Sequence, residues 1–156
     1  MRRFFMGFAA VCAALIGLVA VTPARADVFI AVSKSNQSMS VVVDCRERYR
    51  WPVSTGRDGG PPSGAYQPER MERQWYSRKY DWSPMPHAIF FHKGYAIHGT
   101  NYVSRLGRPA SHGCVRLHPS HAAELFALVR SQGMGRTRIV VSSSARFAEK
   151  IRSPMF

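Results

Sequence analysis

Short runs of β-branched and aromatic residues dominate the first two-thirds of the chain beyond residue 27. Residues 28–32, 38–43 and 49–54 have the composition and length of β-strands, and we predict a strand at each. Polar turn-forming residues separate them, with Asn36 and its serine neighbours in the first gap and residues 44–48 in the second. The pattern therefore predicts three consecutive strands joined by short turns.

A longer and less regular region follows these strands. Residues 56–64 contain four glycines and two prolines, which predicts an extended loop. Residues 66–80 are polar and aromatic without a clear period, so no element is assigned to them. The apolar runs 87–91 and 95–98 flank His92-Lys93-Gly94, which is typical of a β-hairpin.

One segment near the end of the chain has clear helical periodicity. Pro119 or Ser120 can begin the helix, and Gly133 can end it. Its apolar residues recur at i, i+3, i+4 and i+7, at Ala122, Leu125, Phe126 and Val129. Residues 138–141 return to a strand pattern. Many strands and one main helix predict a mostly β fold, arranged as a sandwich or barrel.

The first 26 residues have the pattern of a secretory signal peptide. Met1-Arg2-Arg3 supplies positive charge, residues 4–21 are apolar or small, and Ala24-Arg25-Ala26 is a small-x-small cleavage site. We therefore expect an exported protein of the periplasm or cell envelope, with one domain over residues 27–156. The apolar run is also close to the length of a membrane span, so an uncleaved segment would associate the protein with the membrane.

The chain is strongly basic, with a formal net charge of +13. Removal of residues 1–26 would leave 19 basic and 9 acidic residues, a net charge of +10. Such a surplus favours polyanionic partners. An exported protein meets little nucleic acid, so we expect anionic cell-wall polymer or a membrane surface instead. A basic surface that serves solubility alone is an equally open alternative.

Two cysteines, Cys45 and Cys114, lie beyond the predicted signal peptide. A small secreted domain held together by disulfides would carry four or more. Cys45 follows an apolar run, so we expect a buried structural thiol there. A Cys45–Cys114 disulfide stays open at this point, although it would silence Cys114 as a nucleophile.

The residues around Cys114 could activate a thiol. If residues 112–116 are extended, His112, Cys114 and Arg116 point to one face of the strand. A thiol attacks carbonyls as the thiolate, so a nearby base or positive charge is needed. His98 ends the preceding apolar strand and is well placed to meet such a cysteine, and the Gly113 and Cys114 amides could stabilise an oxyanion.

Two other interpretations compete with a catalytic cysteine. Cys114 could be a structural thiol beside a turn glycine, because a His-Gly-Cys tripeptide alone is weak evidence. A zinc site is a second alternative, but the sequence has no C-x-x-C pair. The spacing of His98, His112, Cys114 and His118 matches no usual structural zinc site. We therefore expect no metal and no cofactor.

The segment containing these residues resembles the active-site signature of the L,D-transpeptidases, the YkuD-like catalytic domain. The signature residues here are His98-Gly99-Thr100 and, after a gap, Ser111-His112-Gly113-Cys114-Val115-Arg116. The likeness extends over about residues 27–142. Three further stretches contribute to it: residues 53–57, 62–66 and 85–89.

The resemblance implies a mostly β catalytic domain that acts on peptidoglycan stem peptides. Cys114 would attack the carbonyl of the third stem residue and expel D-Ala, leaving a thioester. His98 would be the general base and His112 would orient the pair, while the Gly113 and Cys114 amides would hold the oxyanion. An amine of another stem, a lipoprotein lysine or, in carboxypeptidases, water would then resolve the thioester.

The same resemblance suggests residues that bind the substrate. Arg116 is a candidate for binding a substrate carboxylate, although a structural ion pair is an equal alternative. Ser111 is expected to support the loop through backbone hydrogen bonds, and Gly99 and Thr100 to contribute to the substrate side. We expect a monomer. A non-catalytic wall-binding module and a basic nucleic-acid binder are the competing function classes, the latter weakened by the lack of a clustered basic-aromatic motif.

Overall fold

A computed structural model describes residues 28–144 of the 156-residue chain. The predicted signal peptide, residues 1–26, lies outside the described residues. Within residues 28–144, no helix is both long and apolar enough to span a membrane. The regular elements are β1 Val28–Ser33, β2 Ser38–Val43, β3 Arg46–Pro52, β4 Gly64–Tyr66, β5 Arg70–Glu72, β6 Tyr76–Ser77, β7 Ser83–Pro84, β8 Ala88–His92, β9 Tyr95–Gly99, β10 Val115–Leu117, α1 Pro119–Gln132 and β11 Thr137–Ser142.

The strands form two larger sheets and one small hairpin. The first sheet has five strands in the order β3-β2-β1-β11-β4, and the second has four in the order β10-β9-β8-β5. Strands β6 and β7 pair only with each other. Most pairs are antiparallel, but β1 pairs with β11 and β9 with β10 in parallel. Each parallel pair joins segments far apart in the sequence, so local patterns could not predict it.

The core lies between the two sheets and α1. Alternate residues of β1 and β2 face alternate residues of β8, β9 and β10 across it, as period-two patterning requires. The helix closes one side with the four apolar residues predicted from its periodicity, and all four are buried. The sheets are not closed into a barrel, so the sandwich alternative is confirmed and the barrel alternative is wrong.

Local signals predicted several elements correctly. The hairpin β8–β9 turns at Lys93 and Gly94, whose φ angles of 42° and 87° match the left-handed turn that tight hairpins prefer. The helix begins at Pro119, where a missing N–H costs nothing, and Gly133 follows its last residue. Strands β1 and β2 and the loop after residue 56 also lie where predicted.

The turn before β3 differs from the prediction in length and in the position of Cys45. Only Asp44 and Cys45 form the turn, with φ angles of 49° and 63°, and β3 already begins at Arg46. The thiol of Cys45 is therefore exposed, and the prediction of a buried structural cysteine is wrong. Cys45 and Cys114 are both free, so the structure has no disulfide between them.

The outer face of the four-stranded sheet is covered by chain rather than open to solvent. Met85 packs there in a small cluster with Ala88, Phe90 and Ala96, separate from the main core. Trp75 also meets the Phe90 ring edge-on, with ring centroids 5.7 Å apart. Part of the region without a clear period, residues 66–80, thus packs over this sheet. The candidate site lies beside it.

Candidate active site

Cys114 lies immediately before β10, on the outer face of the four-stranded sheet. Val115 and Leu117 are fully buried in the main core, whereas Cys114 and Arg116 alternate with them and point the other way. The thiol of Cys114 packs against the small cluster that contains Ala96. The core contacts of β10 therefore fix which way the cysteine faces.

The parallel pairing of β9 with β10 brings His98 to the same face. Arg116 lies directly opposite His98 in the register, and Val115 lies opposite Ile97. Side chains at paired positions share a face. Cys114 is two residues before Arg116 on that face. Cys114 and His98 are therefore diagonal neighbours on adjacent strands. The structure thus brings His98 to the same face as Cys114 and Arg116, which lie in a separate segment of the sequence.

The environment of His98 keeps its imidazole neutral. The residue is 5% exposed, and burial lowers the pKa of His98 to about 4, with a further lowering from the charge of Arg116. A hydrogen bond from Nδ1 to the Gly99 carbonyl oxygen, at 2.7 Å, opposes this shift. Because a carbonyl only accepts, Nδ1 carries the proton and Nε2 keeps a lone pair. His98 is therefore an unprotonated base at neutral pH.

The thiol of Cys114 is protonated at rest. Burial raises the pKa of Cys114 above its ordinary value of 9.0, while a backbone hydrogen bond with Ala96 and the charge of Arg116 lower it in part. A neutral thiol beside a neutral imidazole requires proton transfer during attack. These two shifts favour a thiol that needs a base for its activation over a preformed thiolate.

The buried His98 makes stability depend on pH. The pKa of His98 falls from 6.5 to about 4 on folding, so the unfolded chain takes up a proton first as pH drops. The contribution of neutral His98 is fully present above pH 6.5 and is lost as pH falls toward 4, an effect of about 3 kcal/mol. Urea unfolding at pH 7 and pH 4.5 should show this loss in the wild type and a smaller one in His98→Gln. Equal losses of stability in the wild type and in His98→Gln would contradict the attribution of this pH dependence to His98.

Ser111 holds the loop that carries the cysteine. Its hydroxyl donates to the Cys114 carbonyl oxygen at 2.6 Å and accepts from the Gly113 amide at 3.0 Å. The residue is 1% exposed. These bonds are of the supporting kind expected for Ser111. The Gly113 amide thus already has a hydrogen-bond partner, and the expected oxyanion role of the Gly113 and Cys114 amides stays a prediction.

Gly113 occupies a position that other residues cannot fill without strain. Its φ angle is 135°, and a Cβ atom there would lie 2.6 Å from Cε1 of Tyr95. Gly113→Ala is therefore expected to lower the free energy of unfolding by about 2–4 kcal/mol. Denaturant titration measures this loss, with Gly135→Ala as the control because a Cβ at Gly135 meets nothing within 4 Å. A loss no larger than that of the control would contradict the predicted strain.

Within residues 28–144, Arg116 is held in place by neutral groups and has no acidic partner. Its backbone exchanges two hydrogen bonds with Ser54, at 2.9 and 3.0 Å. Its guanidinium donates to the Ala110 carbonyl oxygen at 3.4 Å and lies 5.8 Å from the Tyr102 ring centre. Among residues 28–144, the ion pairs join Arg50 to Glu47 and Arg70 to Glu72. The structural ion pair considered for Arg116 is therefore not seen in this part of the chain.

His112 belongs to a different set of contacts from the one expected. The predicted extended run is interrupted, because β10 begins only at Val115 and Gly113 has a positive φ. His112 is exposed and stacks on Tyr80, with ring centroids 4.5 Å apart, and the Arg57 guanidinium donates to its Nε2 at 3.3 Å. No sequence signal predicts this link, because Arg57 lies in the predicted loop and Tyr80 in the region without a clear period.

Gly99 and Thr100 are used inside the fold. The Gly99 amide donates to the Pro86 carbonyl oxygen at 2.8 Å, and its own carbonyl accepts from His98. The Thr100 hydroxyl accepts from the Tyr102 amide at 3.2 Å and the residue is 5% exposed. These groups position His98 and the following loop, and the contribution of Gly99 and Thr100 to the substrate side stays a prediction.

The described residues offer little for metal binding. Across residues 28–144, no group of three or more His, Cys, Asp or Glu side chains is arranged to hold a metal ion. His118, which the zinc alternative included, instead caps α1 by accepting from the Ser120 amide at 3.3 Å.

Comparison with known proteins agrees with this arrangement. The family profile of the L,D-transpeptidase catalytic domain (YkuD) matches residues 27–141. YqjB, a provisionally named L,D-transpeptidase of Bacillus subtilis (strain 168), is 27% identical over 143 residues, which cover 83% of this chain and 79% of that protein.

Solved structures share the fold. An L,D-transpeptidase from Stackebrandtia nassauensis superposes with a TM-score of 0.66 at 25% identity, covering 82% of this chain and 61% of the other. One from Mycobacterium smegmatis gives a TM-score of 0.66 at 24% identity, covering 74% and 58%. The chain thus spans about three-fifths of the length of these structures.

Proposed function

Because the chain belongs to the L,D-transpeptidase catalytic-domain family, we propose that it is a cysteine L,D-transpeptidase acting on peptidoglycan tetrapeptide stems. The observation that supports this most is the shared sheet face of Cys114, His98 and Arg116, set by the β9–β10 register. This geometry supports Cys114 as the nucleophile, His98 as the base and Arg116, which has no acidic partner within residues 28–144, as a carboxylate ligand.

The first half-reaction forms a thioester on Cys114. The sulfur attacks the carbonyl carbon of the third stem residue while Nε2 of His98 takes the thiol proton. The tetrahedral intermediate then collapses, the bond to the D-Ala nitrogen breaks, and His98 returns the proton to the departing amine. The Cys114 amide stabilises the oxyanion, and Arg116 binds a carboxylate of the stem through its planar fork.

In the second half-reaction the acceptor amine is the nucleophile and the Cys114 sulfur is the leaving group. An amine attacks the thioester carbonyl, His98 takes a proton from it, and the proton returns to the Cys114 sulfur as the new amide forms. The amine comes from another stem, which gives a cross-link, or from a lipoprotein lysine. Water in the same place would make the protein an L,D-carboxypeptidase, so the acceptor decides between the two activities.

Product analysis with a disaccharide-tetrapeptide tests the reaction. Mass spectrometry of the mixture should show D-Ala release together with a cross-linked dimer. D-Ala release with a tripeptide product alone would make the protein a carboxypeptidase. Neither product, from folded protein with a free Cys114 thiol, would contradict both enzyme activities and favour a wall-binding module.

We also propose export to the cell envelope, where this substrate lies. The signal-peptide pattern of residues 1–26 and the basic surface support it. The mature protein recovered from the envelope fraction should begin at Asp27 by intact mass. A mass that retains residues 1–26 in the membrane fraction would instead support membrane anchoring.

A further inference from the structure

A shallow pocket of about 290 Å³ lies beside the loop that carries Cys114. Its wall includes Lys34, Gln37, Thr55, Arg57 and Pro109. None of the described residues that line it is acidic, whereas two are cationic. The volume lies near the lower end of ligand-pocket sizes, so it suits one amino-acid-sized group. This lining therefore favours an anionic ligand.

Lys34 and Arg57 each retain N–H groups beyond those used in the hydrogen bonds described below. The Lys34 ammonium donates to the Gly59 and Pro61 carbonyl oxygens, at 2.7 and 3.0 Å, which uses two of its three protons. Arg57 donates one N–H to His112, and a guanidinium has five. Neither side chain forms an ion pair within residues 28–144.

The polar wall is already organised. Gln37 Nε2 donates to Thr55 Oγ1 at 2.7 Å, and the Thr55 amide donates to Gln37 Oε1 at 2.9 Å. Both residues are buried, at 4% and 1% exposure. Because these groups satisfy each other, the wall does not have to reorder when a ligand enters.

The pocket is linked directly to the cysteine loop. The Arg57 amide donates to the Ser111 carbonyl oxygen at 3.1 Å, and the Ser111 hydroxyl donates to that of Cys114. The Arg57 side chain also reaches His112, next to Gly113. These contacts connect Arg57 to the Cys114 backbone through one residue, Ser111, so the pocket and the cysteine lie on the same loop framework.

We propose that this pocket binds the C-terminal carboxylate of the acyl-acceptor stem, with Arg57 as its principal ligand. Holding that carboxylate orients the acceptor so that its side-chain amine faces the thioester on Cys114. Arg57 is then a specificity-determining residue for the second half-reaction only. The inference rests on the proposed transpeptidase function, because only transfer needs a bound amine acceptor.

Binding can be measured apart from catalysis in the Cys114→Ala background. The probes are N-acetyl-L-lysyl-D-alanine, which has one carboxylate and one side-chain amine, and its C-terminal carboxamide. In NMR titrations the acid should shift the amide signals of Gly56, Arg57 and Ser111 and bind about tenfold more tightly than the carboxamide. Arg57→Gln should remove this preference, while Arg46→Gln, an equal loss of charge on β3, should keep it.

Kinetics then separates this inference from the proposed function. In protein with Cys114 intact, Arg57→Gln should raise the KM for the acid probe about tenfold and leave the KM for the carboxamide probe unchanged. Equal binding of acid and carboxamide, or a preference that survives Arg57→Gln, would overturn the acceptor pocket. A wild-type protein that never forms the thioester would overturn the proposed function, whatever the binding result.

Discussion

Cys114→Ala is expected to abolish D-Ala release from a tetrapeptide stem, with a loss of at least about 1,000-fold. The reason is that no other described group can supply the covalent intermediate on this face of the sheet. Cys45 is the only other cysteine within residues 28–144, and it is exposed at the β2–β3 turn. D-Ala is measured by mass spectrometry over a fixed time course.

Cys45→Ala is the matched control for this experiment. It removes a free thiol of the same chain from the opposite sheet, so activity should stay within about twofold of wild type. Substantial D-Ala release by Cys114→Ala would contradict the nucleophile assignment. Loss of activity in Cys45→Ala alone would indicate that Cys45 is the nucleophile.

His98→Gln is expected to slow thioester formation by about 100- to 10,000-fold near pH 7, the usual range for loss of a general base. The wild-type rate should be level across neutral pH and fall as pH drops through about 4, because protonated His98 cannot accept the thiol proton. Without the base, attack depends on spontaneous thiol ionisation, and the mutant rate should rise about tenfold per pH unit below the thiol pKa. Stopped-time intact-mass measurements give both profiles.

His112→Ala provides the comparison, since His112 is exposed and contacts Arg57 and Tyr80 instead of the buried face. It should keep the level profile at neutral pH. If His98→Gln kept that profile and His112→Ala lost it, the two histidines would have exchanged roles. Near-UV circular dichroism of both variants checks that the loss is not a failure to fold.

Local sequence signals predicted the parts of the fold that depend on neighbours in the chain. The helix α1 and the hairpin β8–β9 have strong periodicity and specific end residues, and both lie where predicted. The parallel β1–β11 and β9–β10 pairs could not be predicted in this way, because packing between distant segments determines which strands pair. Their register could not be derived from composition or spacing.

The roles of the candidate site residues stay predictions, whereas their contacts can be compared with the structure. The motif pointed to Cys114 and His98, and the alternation of burial around Cys114 follows the expected period of two. The links of His112 to Tyr80 and Arg57 were missed, because loops without a period bring these side chains together. Cys45 was misplaced since a tight two-residue turn directs it to solvent at the end of an apolar strand.

The most direct test of the account is to locate the covalent intermediate. Intact-protein mass after brief incubation with disaccharide-tetrapeptide should increase by the mass of the substrate less D-Ala. Proteolysis and tandem mass spectrometry should then place the adduct on Cys114, as a thioester that hydroxylamine removes. No adduct on folded protein, or an adduct on Cys45 or another residue, would contradict the central claim that Cys114 forms the acyl-enzyme.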